Sequence, residues 1–420
     1  MTADGHSTPV PPFTRPPRAP HADAWALDPA VVFLNHGSFG ACPGSVLAVQ
    51  ADLRAELEAN PVAFLGRALE GRLDMVRARL GAFLGADPED LAFVPNATAG
   101  VDTVLRSLRF APGDELVATD HEYNAALNMA RFAAARDGAR VVVAPIPLPT
   151  AGPDEVAEPV LAAVGPRTRL VLMSHVTSPT ALVFPVERLV AALEGRGIPV
   201  LVDGAHGPGM LPLDLAGLGA SFYAGNLHKW VCAPKGAAFL HVRRDRQAAI
   251  RPLAISHGAN DPRPERSTFR KEFDWTGTAD PTPFLAVPAA IDAVGGMVAG
   301  GWTAVMTRNV AIAAVARRAL SSAAGMPVLA PESMLGSMAA IELPQDRGFA
   351  GRGPADPDPL QARLLETASV EVPLHAWPRD PVPGERRRRL LRVSAHLHND
   401  AAEYEHLALA LRFLLAEERR

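Results

Sequence analysis

Hydrophobic residues in the first two thirds of the chain fall into two alternating patterns. Short uninterrupted apolar runs, "LAFVP" (91–95), "DELVAT" (114–119), "RVVVAPI" (140–146), "RLVLMSHV" (169–176), "IPVLVDGA" (198–205) and "AAFLHV" (237–242), predict strands. Between them lie longer stretches with apolar residues every three or four positions, which predict helices over 45–60, 67–85 and 186–197. The strand runs are continuous instead of alternating, which suits strands covered on both faces. The pattern therefore predicts an α/β layer built on a largely parallel sheet. From about Asp280 the character changes. "PFLAVPAAIDAVGGM" (283–297) predicts a linking helix, "LLRVSAHL" (390–397) a strand, and "AAEYEHLALALRFLLAEE" (401–418) a terminal helix, together a smaller α+β domain. "PQDRGFAGRGPADPDP" (344–359) reads as a Gly/Pro-rich insertion.

Composition narrows the partners. The 41 Lys and Arg against 45 Asp and Glu leave a net charge of −4, which supplies no broad basic field for nucleic acid. No apolar run approaches the roughly 18 residues that a membrane span requires. The opening "MTADGHSTPVPPFTRPPRAP" lacks the charged start and apolar stretch of a signal peptide and reads as a flexible Pro-rich arm, assigned to residues 1–22. The two cysteines, Cys42 and Cys232, form neither a disulfide framework nor a CxxC metal pair, so a cytoplasmic protein without a metal site is expected.

Ligands of parallel sheets bind at the carboxyl ends of the strands, so the polar residues that follow each strand are the candidates for chemistry. Asp203 and His206 follow "PVLV" in "DGAHGPG". A carboxylate there is costly unless it meets a cation. Asn96, Ala97, Thr98 and Gly100 open the helix after "LAFVP", where free amides and the helix dipole attract an anion such as phosphate. Tyr123 in "DHEYNA" and Thr177 and Ser178 in "TSPTA" join the same rim. Lys229 stands in "AGNLHKW", 26 residues beyond Asp203, with neighbours that read as buried. One ligand needs all of these: a phosphate, an aromatic ring to stack on, a ring nitrogen that wants a carboxylate, and an aldehyde that wants a lysine. That ligand is pyridoxal 5′-phosphate (PLP). Lys229 would carry it as a Schiff base, helped by desolvation and a neighbouring cation that keep the amine neutral, and Asp203 would keep the pyridine nitrogen protonated.

The motifs "FLNHGSFGACP" (33–43), "NPVAFLGR" (60–67), "DHEYNA" (120–125), "SHVTSPTALVFPV" (174–186), "VDGAHGPG" (202–209), "FYAGNLHKWVCAPKGAAFLH" (222–241), "WTGTADPTPFLAVP" (275–288) and "LRVSAHLHN" (391–399) run in one order over 33–399. As a set they resemble the class V branch of the fold-type I PLP enzymes, within it the isopenicillin N epimerase-like group. The resemblance implies a mainly parallel seven-stranded sheet covered by helices, with a large PLP-binding domain over 46–285 and a small α+β domain made of 23–45 with 286–420. It implies Lys229 as the cofactor-bearing lysine, Asp203 on the pyridine nitrogen, and His206 on the phenolic oxygen with Ser178 as a second candidate there. It further implies Tyr123 on the ring, and Ala97, Thr98, Asn226 and His228 around the phosphate. Thr278 resembles the threonine lent to a partner's phosphate, which implies a homodimer, and Arg392 the arginine that clamps the substrate carboxylate. His36, Asn60, Arg67 and His257 are further candidates for the substrate pocket, and ordinary structural roles fit them equally well. Relatives that abstract sulfur carry a catalytic cysteine in the last third of the chain; neither Cys42 nor Cys232 lies there.

Three reactions of an amino-acid substrate then compete. Epimerisation needs Lys229 as base and a second acid, for which Tyr123 and His36 are the candidates. β-Elimination at a C–S bond needs only a leaving group on Cβ, and transamination needs reprotonation on the cofactor. The resemblance favours an isopenicillin N epimerase-like enzyme of specialised metabolism such as antibiotic biosynthesis, acting on an amino acid or amino-acid conjugate. A C–S lyase is the alternative, ahead of an aminotransferase or a non-catalytic binding relative.

Overall fold

The computed structural model describes residues 13–349, 356–381 and 386–419. Its strands are β1 (Val32–Phe33), β2 (Leu91–Val94), β3 (Glu115–Thr119), β4 (Arg140–Ala144), β5 (Thr168–Ser174), β6 (Val200–Asp203), β7 (Phe222–Asn226), β8 (Ala238–Val242), β9 (Met338–Leu343), β10 (Val370–Glu371), β11 (Leu374–Trp377) and β12 (Arg388–Ser394). Seven of them form one sheet in the order β2-β8-β7-β6-β5-β3-β4. Only β8 runs against its neighbours. This is the fold-type I arrangement. All six runs read as strands lie in this sheet. The seventh member, Phe222–Asn226, carries a glycine and ends on an asparagine, and the apolar pattern alone did not single it out.

Side chains of successive strand residues enter opposite layers. Val171, Met173, Val200 and Val202 join one hydrophobic cluster with Leu69, Leu73, Val160 and Leu189. Leu170, Leu172, Leu201, Phe222 and Ala224 join another with residues of the helices α1 (Ala97–Ser107) and α2 (Asn124–Asp137). Each fully buried aliphatic side chain is worth roughly 1.5–3 kcal/mol. A one-residue slip of β6 would exchange its two faces, so the register is held from both sides.

The helix expected over 67–85 is observed as Leu69–Leu84, preceded by a π-helical turn over Val62–Ala68. The helix expected over 283–297 is split into Thr282–Leu285 and Val287–Gly296. Ala401–Glu418 begins with the Asp400/Glu403 capping box. No single helix among the described residues is long and apolar enough to cross a membrane.

A smaller antiparallel sheet, β11-β12-β9, packs on the helices Gly301–Ala324, Pro359–Ala368 and Ala401–Glu418. The short pair β1–β10 ties the N-terminal segment to this region. Residues 1–12 of the expected arm lie outside the described residues. From Phe13 the segment touches the domain at points: the Phe13 ring meets His406 and Phe413 edge-on, and Ala19 and Ala22 are buried. The insertion at 344–359 also lies in part outside the described residues.

Candidate active site at the carboxyl edge of the sheet

β3, β5, β6 and β7 are parallel, so their carboxyl ends fall on one edge. β2 points the same way, because β8 is antiparallel to both β2 and β7. That edge delivers the start of α1 after β2, Tyr123 after β3, Ser174 on β5, Asp203 on β6 and Asn226 on β7. β12 supplies the opposite wall: Leu391 and Val393 pack into the small-domain core, and Arg392 between them points the other way. Together these groups line a cavity of about 440 Å³.

Lys229 is half-buried at the floor, with its amine enclosed by the cavity wall. Burial and then the Arg392 cation lower its ammonium, against an opposing pull from Asp203, to about 7. The amine is thus substantially neutral at physiological pH, which is the form that attacks a carbonyl. Its Nζ lies 3.3 Å from His206 Nε2. On the far side of that ring, the Trp230 indole N–H donates to His206 Nδ1 at 3.2 Å. An indole can only donate, so Nδ1 is the acceptor and the proton of a neutral imidazole rests on Nε2. Burial and the nearby Lys229, Arg392 and His228 hold the His206 pKa well below its usual range, which keeps the ring neutral.

Asp203 is buried; its Oδ1 accepts from Ala205 N at 3.0 Å, and burial raises its pKa against a lowering by Lys229. Arg392 is buried with its donors directed at Ser178 O (2.7 Å), Ser178 Oγ (3.2 Å) and Ser38 Oγ (2.8 Å). Its Nε has no partner among the described residues, and none of these acceptors is a carboxylate. A buried guanidinium facing a cavity without a counter-ion is a receptor for a ligand anion.

At the start of α1, Asn96 caps Ala99 N (2.8 Å) and Asn226 Oδ1 accepts from Ala97 N (2.7 Å). The Ala97 amide expected to face phosphate is therefore spent on Asn226, and Asn226 anchors the helix terminus. The Thr98 amide and hydroxyl remain at the cavity for an anion. His228 Nδ1 lies 3.0 Å from Ala237 O and so donates to it, which leaves Nε2 for a ligand.

Tyr123 lines the cavity and is 48% exposed. Ser178 also lines it, but its hydroxyl and carbonyl receive Arg392. Several candidates do not reach the cavity of this chain. His36 is fully buried behind Lys229, with Nε2 3.0 Å from Lys229 O and Nδ1 3.0 Å from His398 Nε2. Its role as substrate ligand or second acid is corrected to a support of the Lys229 backbone. His396 Nε2 likewise lies 3.2 Å from Trp230 O. These two rings and Cys232 form a compact His/His/Cys group, yet both Nε2 atoms have a carbonyl to donate to. Asn60 is corrected too: it is exposed at the end of the helix Gly44–Ala59, where Oδ1 caps Ala63 N (3.0 Å). Arg67, His257 and Thr278 are exposed and away from this cavity.

Sequence reading missed Ser38, Ser174, His375 and Glu122. Ser38 arrives through β1 and the turn at Gly40, whose φ of +73° and approach to His228 O, 1.9 Å from where a Cβ would stand, admit only glycine. Glu122 is buried and accepts from Thr119 (2.7 Å) and Ser174 (2.6 Å); burial raises its carboxyl to about 7. Nothing in local sequence distinguishes these from ordinary polar residues.

The Arg392 guanidinium without a carboxylate partner, the Lys229 amine lowered to about 7, the carboxylate of Asp203 and the open helix terminus at Thr98 fit PLP and an amino-acid carboxylate together. Fold and cavity thus define a fold-type I PLP enzyme. The chain belongs to the class-V aminotransferase family, whose profile matches residues 42–346. It is 38% identical to isopenicillin N epimerase of Amycolatopsis lactamdurans over 414 residues, covering 94% of this chain and 99% of that one. It is 27% identical to L-cysteine desulfhydrase of Arabidopsis thaliana, covering 92% and 88%. Among solved structures it resembles the cystine C-S lyase C-DES in complex with cysteine persulfide, with a TM-score of 0.75 at 22% identity, over 91% of this chain and 97% of that one.

Proposed function

We propose that this protein acts at the α-carbon of an amino acid or amino-acid conjugate as an isopenicillin N epimerase-like enzyme. The observation that carries the reading is the buried Arg392, without a carboxylate partner, across the cavity from the neutral amine of Lys229. PLP, when bound, supplies the electron sink for a negative charge developing at Cα. The chain's own residues do the rest. Arg392 holds the substrate α-carboxylate and so orients the Cα–H bond. Lys229 Nζ takes that proton. Asp203 would keep a proton on the pyridine nitrogen, His206 would present Nε2–H to the phenolic oxygen, Tyr123 would stack on the ring, and Thr98 with His228 would receive the phosphate. For epimerisation the second acid is Tyr123, whose exposed position at the cavity contrasts with the enclosed His36.

A second reading, C–S lysis, draws on the resemblance to the desulfhydrase named above, and the residues it needs are a subset of those for epimerisation. Absence of a cysteine near the cavity disfavours persulfide chemistry: Cys42 and Cys232 are both buried away from it. Two further parts of the reading are a division into a large domain over 46–285 and a small one of 23–45 with 286–420, and a cytoplasmic homodimer. The exposed Thr278 would complete the partner's phosphate site. Deuterium exchange decides among the reactions. An epimerase washes label from heavy water into Cα and yields both configurations; a lyase releases sulfide, pyruvate and ammonia from cysteine. If no α-amino acid exchanges its Cα proton, the reading is wrong.

A further inference from the structure

Asp203 and His206 both belong to the turn by which β6 leaves the sheet, and that turn rests on one buried side chain. Asp203 is paired with Ser174 on β5 and with Ala224 on β7. Tyr223 directly precedes Ala224 and so enters the opposite face of the sheet. Its ring is fully buried and runs parallel to that of Phe239, with centroids 6.1 Å apart. A Cβ on Gly204 would stand 2.0 Å from Tyr223 Cε1 and 2.1 Å from Cζ, and one on Gly207 would stand 2.1 Å from the Tyr223 hydroxyl oxygen. Neither glycine has a left-handed φ, so it is the ring and not the backbone conformation that requires them.

The hydroxyl is itself held, 3.0 Å from His175 Nδ1. His175 Nε2 lies 3.8 Å from Glu187 Oε1, which draws the imidazole proton to that side and leaves Nδ1 to accept from the phenol. His175 also holds Asp203 through the backbone: its N–H donates to Asp203 O at 2.9 Å. Gly204 N donates to Ala224 O at 2.8 Å, and Gly207 N closes the turn onto Gly204 O at 2.8 Å. The segment that carries Asp203 and His206 is thus tied to the ends of β5 and β7 and propped by a ring whose hydroxyl cannot move without breaking its bond to His175. Neither Tyr223 nor His175 lines the cavity.

We propose that Tyr223, anchored by His175, is a positioning residue: it sets the height of the Asp203–His206 turn, and with it the reach of the Asp203 carboxylate and of His206 Nε2 towards bound PLP. The inference rests on the reading of Asp203 and His206 as contacts of the cofactor and adds the residue that places them. One ring supports both, so a turn lifted off it weakens both contacts together.

The test is a clash and its relief, read in the Kd of the cofactor-free protein for PLP and in the visible band of the loaded protein. Gly207→Ala sets a methyl group on the Tyr223 hydroxyl; it should raise Kd by about tenfold and shift the band. Tyr223→Phe removes that oxygen, and the next atoms, Gly204 O and Tyr223 Cζ, are 3.4 Å away. The double variant Gly207→Ala/Tyr223→Phe should therefore restore the band and bring Kd to within about threefold of Tyr223→Phe alone. Gly204→Ala should gain nothing from Tyr223→Phe, because the ring carbons it meets remain. Thermal unfolding of each cofactor-free variant reports the fold; should Gly207→Ala not fold, recovery of both fold and Kd in the double variant is the same relief. A Gly207→Ala protein with a lowered Tm but unchanged Kd and band would make Tyr223 a packing residue only and overturn the proposal, as would equal relief at both glycines or none at Gly207. The cofactor reading fails separately: an unchanged band in both His206→Gln and Asp203→Asn would take those two residues off PLP.

Discussion

Trp230 and His206 are joined by a hydrogen bond of 3.2 Å from the indole N–H to Nδ1, and this bond decides which face of the imidazole is the donor. With the indole in place, Nε2–H is directed at Lys229 Nζ, 3.3 Å away. Replacing Trp230 by Phe keeps most of the apolar volume and removes only the donor. The expected result is retained cofactor, a shifted pH midpoint of the cofactor's visible band, and turnover lowered by about tenfold, the worth of one buried hydrogen bond. An unchanged pH midpoint in the Trp230→Phe spectrum would show that the tautomer is set by something else.

Lys229 should behave as an amine of pKa about 7. In cofactor-free protein its reaction with an aldehyde should rise with pH through that value and level off, because the neutral form is the nucleophile. Arg392 lowers this pKa and Asp203 raises it. Arg392→Gln should therefore move the midpoint up, and Asp203→Asn should move it down. Shifts of the same sign in both variants would point to a general structural effect. Borohydride treatment of the loaded enzyme should leave the cofactor attached to Lys229, read by peptide mapping, and a label on Lys235 or Lys271 would displace the assignment.

Asp203→Asn should fold, keep much of its cofactor and lose most turnover. An amide cannot hold a proton on the pyridine nitrogen, and losing a buried charge partner costs several kcal/mol, roughly 3–5, in the transition state. Stopped-flow or steady-state kinetics on the variant, normalised to bound cofactor, gives the answer; near-normal rates would take Asp203 off the ring.

Thr278 is exposed and away from its own cavity, so its proposed role requires a second chain. Thr278→Ala should weaken cofactor retention by about 1.5–3 kcal/mol, the range for one charge-assisted hydrogen bond. Sedimentation should show a dimer, and heterodimers with one active and one Thr278→Ala cavity should lose only one retention site. A fully loaded monomer in solution would contradict both statements.

The protein should be destabilised by acid. His121, His175, His228, His375 and His396 are all lowered to about 4, each mainly by burial. A histidine lowered in the folded state contributes its stability above the unfolded value of about 6.5 and loses it as pH falls through the folded value. Unfolding between pH 6.5 and 4 should therefore take up several protons, with stability falling by several kcal/mol over that window. Urea titrations at pH 7.5, 6, 5 and 4.5 measure the slope; a flat profile would mean that these rings titrate normally.

Some of this is legible in the sequence alone. Continuous apolar runs at 169–176 and 198–205 mean strands covered twice, because each residue must bury its side chain on whichever face it meets. The residues that follow such runs in a parallel sheet must share one edge, and that reasoning alone brought Asp203, Tyr123, Thr98 and Lys229 together. Lys229 was legible because a lysine among apolar neighbours is costly unless its charge is removed. What sequence could not supply was direction. Whether Ala97's amide faces phosphate or Asn226, and whether His36 faces the substrate or the Lys229 carbonyl, depends on packing between segments far apart in the chain. Ser38 reaches Arg392 across 354 positions. Periodicity and residue type record which side chains need burial or a partner; which partner each finds is decided by non-local packing, and that exists only in three dimensions.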